Sequence, residues 1–182
     1  MTTLPGTKTA LLVIDVQNTI VENSFNRDQI VSNIAAAVEK ARVAEVPVIW
    51  IQHSDEDIVL GSEPWQIVPE LSPMSNETKI DKHYRSSFVE TELNSLLQSL
   101  GVGKVVICGA ESNNCVRHTS HSALELGYDI TLIQDGHTTT GFEWNDFKVD
   151  AERVIDEQNT NLMGYQLPGR KAEVVPIAEL IF

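Results

Sequence analysis

Five runs of strand length, apolar almost from end to end, punctuate this sequence: TALLVID (9–15), VPVIWIQ (46–52), KVVICG (104–109), the run at 129–134 and AEVVPI (172–177). A strand with one wet face alternates apolar and polar residues. A strand covered on both faces has no polar side to show and reads as a continuous apolar run. Between these runs, residues 28–44 place Ile30, Ile34, Ala37, Val38 and Ala41 at helical spacing. Residues 87–101 repeat the pattern and stop at Gly101. A further helix is expected to open at Asn114, a candidate cap, and to end at Gly127, and residues 144–159 read as a weaker one. Strand alternating with helix implies a parallel sheet, helices on both its faces and right-handed crossovers. The expected fold is therefore α/β, a three-layer α-β-α sandwich, in one domain spanning residues 1–182. Residues 53–86 are too long for a plain connection, and KIDK (79–82) is the candidate for a short extra strand within them.

The formal net charge of −13 is spread along the chain. Such a surface repels phosphate backbones and anionic lipid, so neither nucleic acid nor membrane is an expected partner. No apolar run approaches the roughly 20 residues that span a bilayer, and the N-terminal MTTLPGTKTALLVID lacks the charged region and cleavage site of a leader. Cys108 lies in a buried run and Cys115 on the following helix, with only six residues between them, so reduced thiols and a cytoplasmic setting are expected.

In open sheets of this kind chemistry gathers beyond the carboxyl ends of the strands. Asp15 ends the first run, His53 follows the second, Lys82 closes KIDK and Cys115 follows KVVICG. Each has a plain structural reading. Asp15 can cap a loop amide, Lys82 can be solvated, and Cys115 can fill a helix–sheet contact. Their common position argues otherwise. A thiol at a helix N-terminus or beside a cation ionises more readily, and a carboxylate following five apolar residues needs a cation or a proton. His118, three residues beyond Cys115, leaves a Cys–His pair open as a different mechanism. HSDED (53–57) offers adjacent polar residues without a second ligand group, so a solvated turn is preferred to a metal site. GVGKVV (101–106) precedes a strand rather than a helix, which excludes a phosphate loop.

Four segments, in order, carry a resemblance to the isochorismatase-like superfamily of cysteine hydrolases: ALLVIDVQN (10–18), HSDEDIVLGSEPWQIVPEL (53–71), DKHYRSSFVETEL (81–93) and the stretch at 105–135 containing GAESNNCVRHTSHSALELGY. The resemblance implies a six-stranded, mostly parallel sheet and a catalytic triad of Asp15, Lys82 and Cys115. It implies a cis Ala110–Glu111 peptide, with the N–H groups of Glu111 and Cys115 forming an oxyanion hole. Homodimers or higher homo-oligomers are common in the family. Isochorismate-cleaving members usually lack the cysteine, so Cys115 favours C–N hydrolysis. The nicotinamidase metal pattern is broken here by Gln52, His53, Ser54 and Asp55, and His118 stands where a small residue is common.

The expected activity is hydrolysis of an amide, carbamoyl or lactam bond of a small molecule through a thioester, with no metal or other cofactor. Gln17, His53, Trp65, Tyr84 and Trp144 are candidate pocket walls, and the loops at 53–80 and 136–146 are expected to select the substrate. An ether hydrolase of the isochorismatase type and a non-catalytic thiol-bearing binding protein are the competing readings.

Overall fold

The computed structural model describes residues 6–182. The first five residues, on which the reading of the N-terminus partly rests, lie outside the described residues. In chain order the elements are β1 (Lys8–Ile14), α1 (Asn18–Val21), α2 (Arg27–Val43), β2 (Val48–His53), β3 (Thr78–Lys82), α3 (Leu93–Ser99) and β4 (Val102–Ala110). A π-helical turn (Ser112–Val116) follows, then α4 (Arg117–Glu125), β5 (Asp129–Thr138), β6 (Phe142–Trp144), β7 (Phe147–Val149) and α5 (Ala151–Leu162). The chain ends with β8 (Gln166–Leu167), β9 (Arg170–Val175) and a short 3-10 turn (Ile177–Glu179).

The main sheet runs β3-β2-β1-β4-β5-β9-β8. It is parallel except for β8, which returns against β9 in a hairpin. The expected six strands are all present. The seventh, β8, is only two residues long and carries too little pattern to be read beforehand. The sheet grows outward in both directions from β1, so the order reverses between β1 and β4. That crevice is where an open α/β sheet binds ligands.

Side chains of β1 alternate between two cores. Ala10, Leu12 and Ile14 pack with Leu93, Leu97, Ala123 and Leu124 of α3 and α4, whereas Leu11 and Val13 pack with Ile30, Ile34 and Val38 of α2. Both faces are dry, which is why the run shows no polar alternation. Among the described residues no helix is long and apolar enough to cross a membrane.

Two expected helices are corrected. Residues 144–149 form the hairpin β6–β7 rather than the start of a helix. Trp144 pairs with Phe147 across a two-residue turn whose Asn145 has φ +53°, a conformation asparagine tolerates well. Residues 87–92 are not helical either. The Ser87 N–H donates to Thr119 Oγ1 (3.0 Å) and the Thr91 hydroxyl donates to Ser87 O (2.6 Å), so hydroxyl bonds replace the helical ladder until α3 begins.

The long segment between β2 and β3 is anchored by a carboxylate. Glu77 accepts from Arg42 Nε (2.8 Å) and Nη2 (3.0 Å), the Trp50 indole N–H (2.8 Å) and the Met74 N–H (2.8 Å). Burial alone raises its pKa, but Arg42, the Met74 amide and Trp50 together hold it below the usual carboxylate range. A carboxylate with a depressed folded pKa contributes stability above its unfolded pKa and loses it as pH falls through the folded value. Glu77→Ala should therefore lower stability by about 2–3 kcal/mol near neutral pH, read from urea midpoints. The difference should shrink below about pH 4. Equal midpoints at neutral pH would refute this anchoring role.

Candidate active site

Asp15 leaves the end of β1 with φ +51°, and its N–H is bonded to Ile51 O of β2 (2.9 Å). On the other side β4 closes in so tightly that a Cβ on Gly109 would stand 2.0 Å from Ile14 O. Lys82 ends β3 in register with His53 at the end of β2. The strand ends thus carry Asp15 and Lys82 into one buried space, each fully shielded from solvent.

The Lys82 ammonium has three hydrogens and three neighbours. Nζ lies 2.7 Å from Asp15 Oδ2, 3.2 Å from Cys115 Sγ and 3.2 Å from Tyr84 O. The carboxylate contact is not aligned as a hydrogen bond, and both Asp15 oxygens lack an aligned donor. At that separation in a low-dielectric interior the charges attract without alignment. Cys115 sits in the π turn after β4, immediately before α4. The turn is held from below: Thr139 Oγ1 donates to Asn113 Oδ1 (2.9 Å) and Ser112 Oγ meets His137 Nδ1 (2.8 Å). The Ala110–Glu111 peptide that leads into it is cis.

Electrostatics set the resting state. Burial pushes Asp15 above the ordinary carboxylate range, and Lys82 only partly reverses this. Burial would lower Lys82, but Asp15 and Cys115 hold it above its usual value. Burial and then the Asp15 charge push the Cys115 thiol up to about 12, against the pull of Lys82. The sequence position suggested an eased thiolate. Instead the thiol rests protonated beside a carboxylate that can receive its proton, because burial and a negative neighbour outweigh the helix start. His118 is exposed, and burial together with the charges of Arg85 and Arg117 lowers its pKa. It is not among the polar neighbours of Cys115, which are Lys82 and Asp15.

Asp15 and Cys115 form part of the wall of a cavity of about 510 Å³ at the carboxyl ends of the strands. Thr19, Ile20, Asn23, His53, Asp57, Ile58, Arg85, Glu111, Asn114 and Thr140 complete its lining. Larger hollows of about 710 Å³ beside the β6–β7 hairpin and about 750 Å³ near Lys8 and Glu77 contain none of the three reactive groups. Among the described residues no three His, Cys, Asp or Glu side chains gather as metal ligands.

Of the five expected walls, His53 lines this cavity and the other four are placed elsewhere. Gln17 is buried. Its amide donates to His53 O (2.9 Å) and Trp65 O (2.8 Å) and accepts from the His53 N–H (2.7 Å), so it buckles the 54–77 loop onto the strand ends. Trp65 donates its indole N–H toward Asp81 (3.3 Å). Tyr84 contributes its carbonyl to Lys82 while its side chain is exposed, and Trp144 stands 73% exposed on the hairpin. The sequence did not single out as cavity walls Arg85, three residues beyond Lys82, or Asn114, which adjoins Cys115. Thr19, Ile20 and Asn23 belong to or follow a four-residue helix, too short to show a period.

Comparison with known proteins agrees with this architecture. A model of the isochorismatase domain matches residues 9–164. The isochorismatase family protein YddQ of Bacillus subtilis is 36% identical over 155 residues, covering 80% of this chain and 86% of that protein. The ureidoacrylate amidohydrolase RutB of an Enterobacter strain is 25% identical over 195 residues, covering 79% of this chain and 85% of that one. The crystal structure of an isochorismatase from Pseudomonas putida superposes with a TM-score of 0.84 at 26% identity, covering 98% of this chain and 94% of that chain.

Proposed function

The chain belongs to the isochorismatase family, and on that premise we propose that it is a cysteine hydrolase cleaving a C–N bond of a small amide, carbamoyl compound or lactam. The observation that carries this reading is the single buried ammonium in contact with both a carboxylate (2.7 Å) and a thiol (3.2 Å) beside an open cavity. Asp15 takes the proton of Cys115 as the sulfur attacks the carbonyl carbon. Lys82, in contact with both groups, offsets the negative charge as it passes from the carboxylate to the sulfur. The tetrahedral oxyanion is held by the N–H groups of Glu111 and Cys115. The C–N bond breaks, the amine leaves with the proton from Asp15, and a thioester remains on Cys115. Water, deprotonated by Asp15, then hydrolyses the thioester and restores the thiol. RutB, a relative named as an amidohydrolase, supports this class of bond.

An ether hydrolase would need no nucleophilic sulfur, and a binding protein would need neither the ion pair nor its contact with the thiol. The test is a screen of small amides, ureas and lactams, followed by ammonia release and product mass, with isochorismate included. Turnover should disappear in Cys115→Ala, survive in His118→Ala and persist after exhaustive dialysis against a chelator. Full turnover by Cys115→Ala would defeat the thioester mechanism, and loss of activity on chelation would defeat metal independence.

A further inference from the structure

We propose that Ser112, His137 and Asn159 form a positioning relay that keeps the turn carrying Cys115 in register with Lys82 and Asp15, a role that rests on the hydrolase reading above. The three residues come from the π turn, β5 and α5 and lie outside the reactive cavity. Ser112 and His137 are fully buried and Asn159 is 8% exposed. Ser112 Oγ is 2.8 Å from His137 Nδ1, His137 Nε2 is 3.0 Å from Asn159 Oδ1, and Asn159 Nδ2 donates to Gln134 O (3.1 Å).

The direction of every bond follows from the last one. Asn159 spends its amide hydrogen on Gln134 O, so the oxygen facing His137 can only accept. Nε2 of His137 therefore carries the ring hydrogen. Nδ1 is then the lone-pair nitrogen, and the Ser112 hydroxyl must donate to it. Burial lowers the pKa of His137, outweighing its bond to Asn159 and the charge of Asp135 on the same strand, so the ring stays neutral.

Ser112 is inaccessible and cannot itself attack a substrate. Its place is what counts. It opens the same five-residue turn that holds Cys115, and the Thr139–Asn113 bond is a second tether on that turn. Losing the Ser112 tether should let the turn shift without unravelling. Sulfur then moves from its 3.2 Å contact with Lys82, and a displacement of about 1 Å can cost about 10²-fold in rate.

The experiment compares Ser112→Ala, Ser112→Thr and Asn159→Asp with the wild-type protein. Measurements are made on material with wild-type circular dichroism and elution volume. Ser112→Ala should lower kcat by roughly 10–10²-fold with KM within about twofold, and Ser112→Thr, which keeps the hydroxyl, should recover much of it. Asn159→Asp adds an ionisable group to the relay, so kcat should acquire an ionisation absent from the wild-type profile. A strap that serves stability alone would leave that profile unmoved. Alkylation of Cys115 by iodoacetamide reports the turn without any amide substrate. If no amide is cleaved by the wild-type protein but alkylation rates still change in Ser112→Ala, the relay stands and the hydrolase reading falls. Unchanged kcat and alkylation in folded Ser112→Ala, an unmoved pH profile in Asn159→Asp, or failure of both variants to fold would overturn the relay.

Discussion

Asp15→Asn and Lys82→Ala will each lower kcat/KM by about 10²–10⁴-fold, the range expected when a positioned proton acceptor or its charge partner is lost. The asparagine is nearly isosteric but cannot take the thiol proton. Removing the Asp15 charge takes away one of the two influences that push the Cys115 thiol up, but burial still raises it and no carboxylate is left beside it to receive the proton. Lys82→Ala leaves Asp15 buried with a negative charge and no cation, and the carboxylate then favours its protonated form, which is useless as a base. The wild-type pH profile follows from the same directions. Activity requires ionised Asp15, whose pKa is raised by burial, so the acid limb should lie above that of an ordinary aspartate. Lys82 is held above its usual value, so its charge is retained through the neutral and mildly alkaline range. A rise in kcat/KM near the free-thiol pKa of about 8.5 would mean that Cys115 ionises independently of Asp15, and the coupled mechanism would fail.

Gly109→Ala is expected to have the largest effect on stability, about 3 kcal/mol or more. Two penalties coincide there. Its φ of +122° is a region that side chains rarely adopt, and the added methyl carbon would lie 2.0 Å from Ile14 O and 2.7 Å from Ile14 N. Those atoms belong to the strand that ends in Asp15 and cannot swing aside as a flexible side chain would. The central pair β1–β4 must separate or β4 must change path, and either movement disturbs the site. Gly164 supplies the control, with φ +73° and open space around the position of a Cβ. Gly164→Ala should cost only about 1 kcal/mol, the backbone penalty alone. Urea midpoints that place the two substitutions together would remove the steric argument.

The sheet and the three reactive positions were legible because each leaves a local mark. Burial on both faces forces a strand to be apolar throughout, and TALLVID, VPVIWIQ and KVVICG obey that rule before any contact is known. A charged or reactive residue placed just where such a run ends is conspicuous for the same reason, which is how Asp15, Lys82 and Cys115 stood out. The ordered segments around them added the family resemblance.

Tertiary structure decided what those residues meet. Gln17 follows the first run as a pocket wall would, yet its amide is consumed by His53 and Trp65, partners at sequence separations of 36 and 48. Trp144 reads as a pocket wall at the start of a weak helix but sits on an exposed hairpin, because the alternation in 142–149 is short and its turn depends on one positive φ at Asn145. The protonated state of Cys115 could not be read from a helix start, since it depends on burial and on a carboxylate 100 residues earlier in the chain. His137, like the relay it joins, gives no periodic signal at all. Apolar periodicity is a property of neighbours along the chain, whereas hydrogen-bond partners and desolvation are properties of neighbours in space, and the active site is made of the second kind.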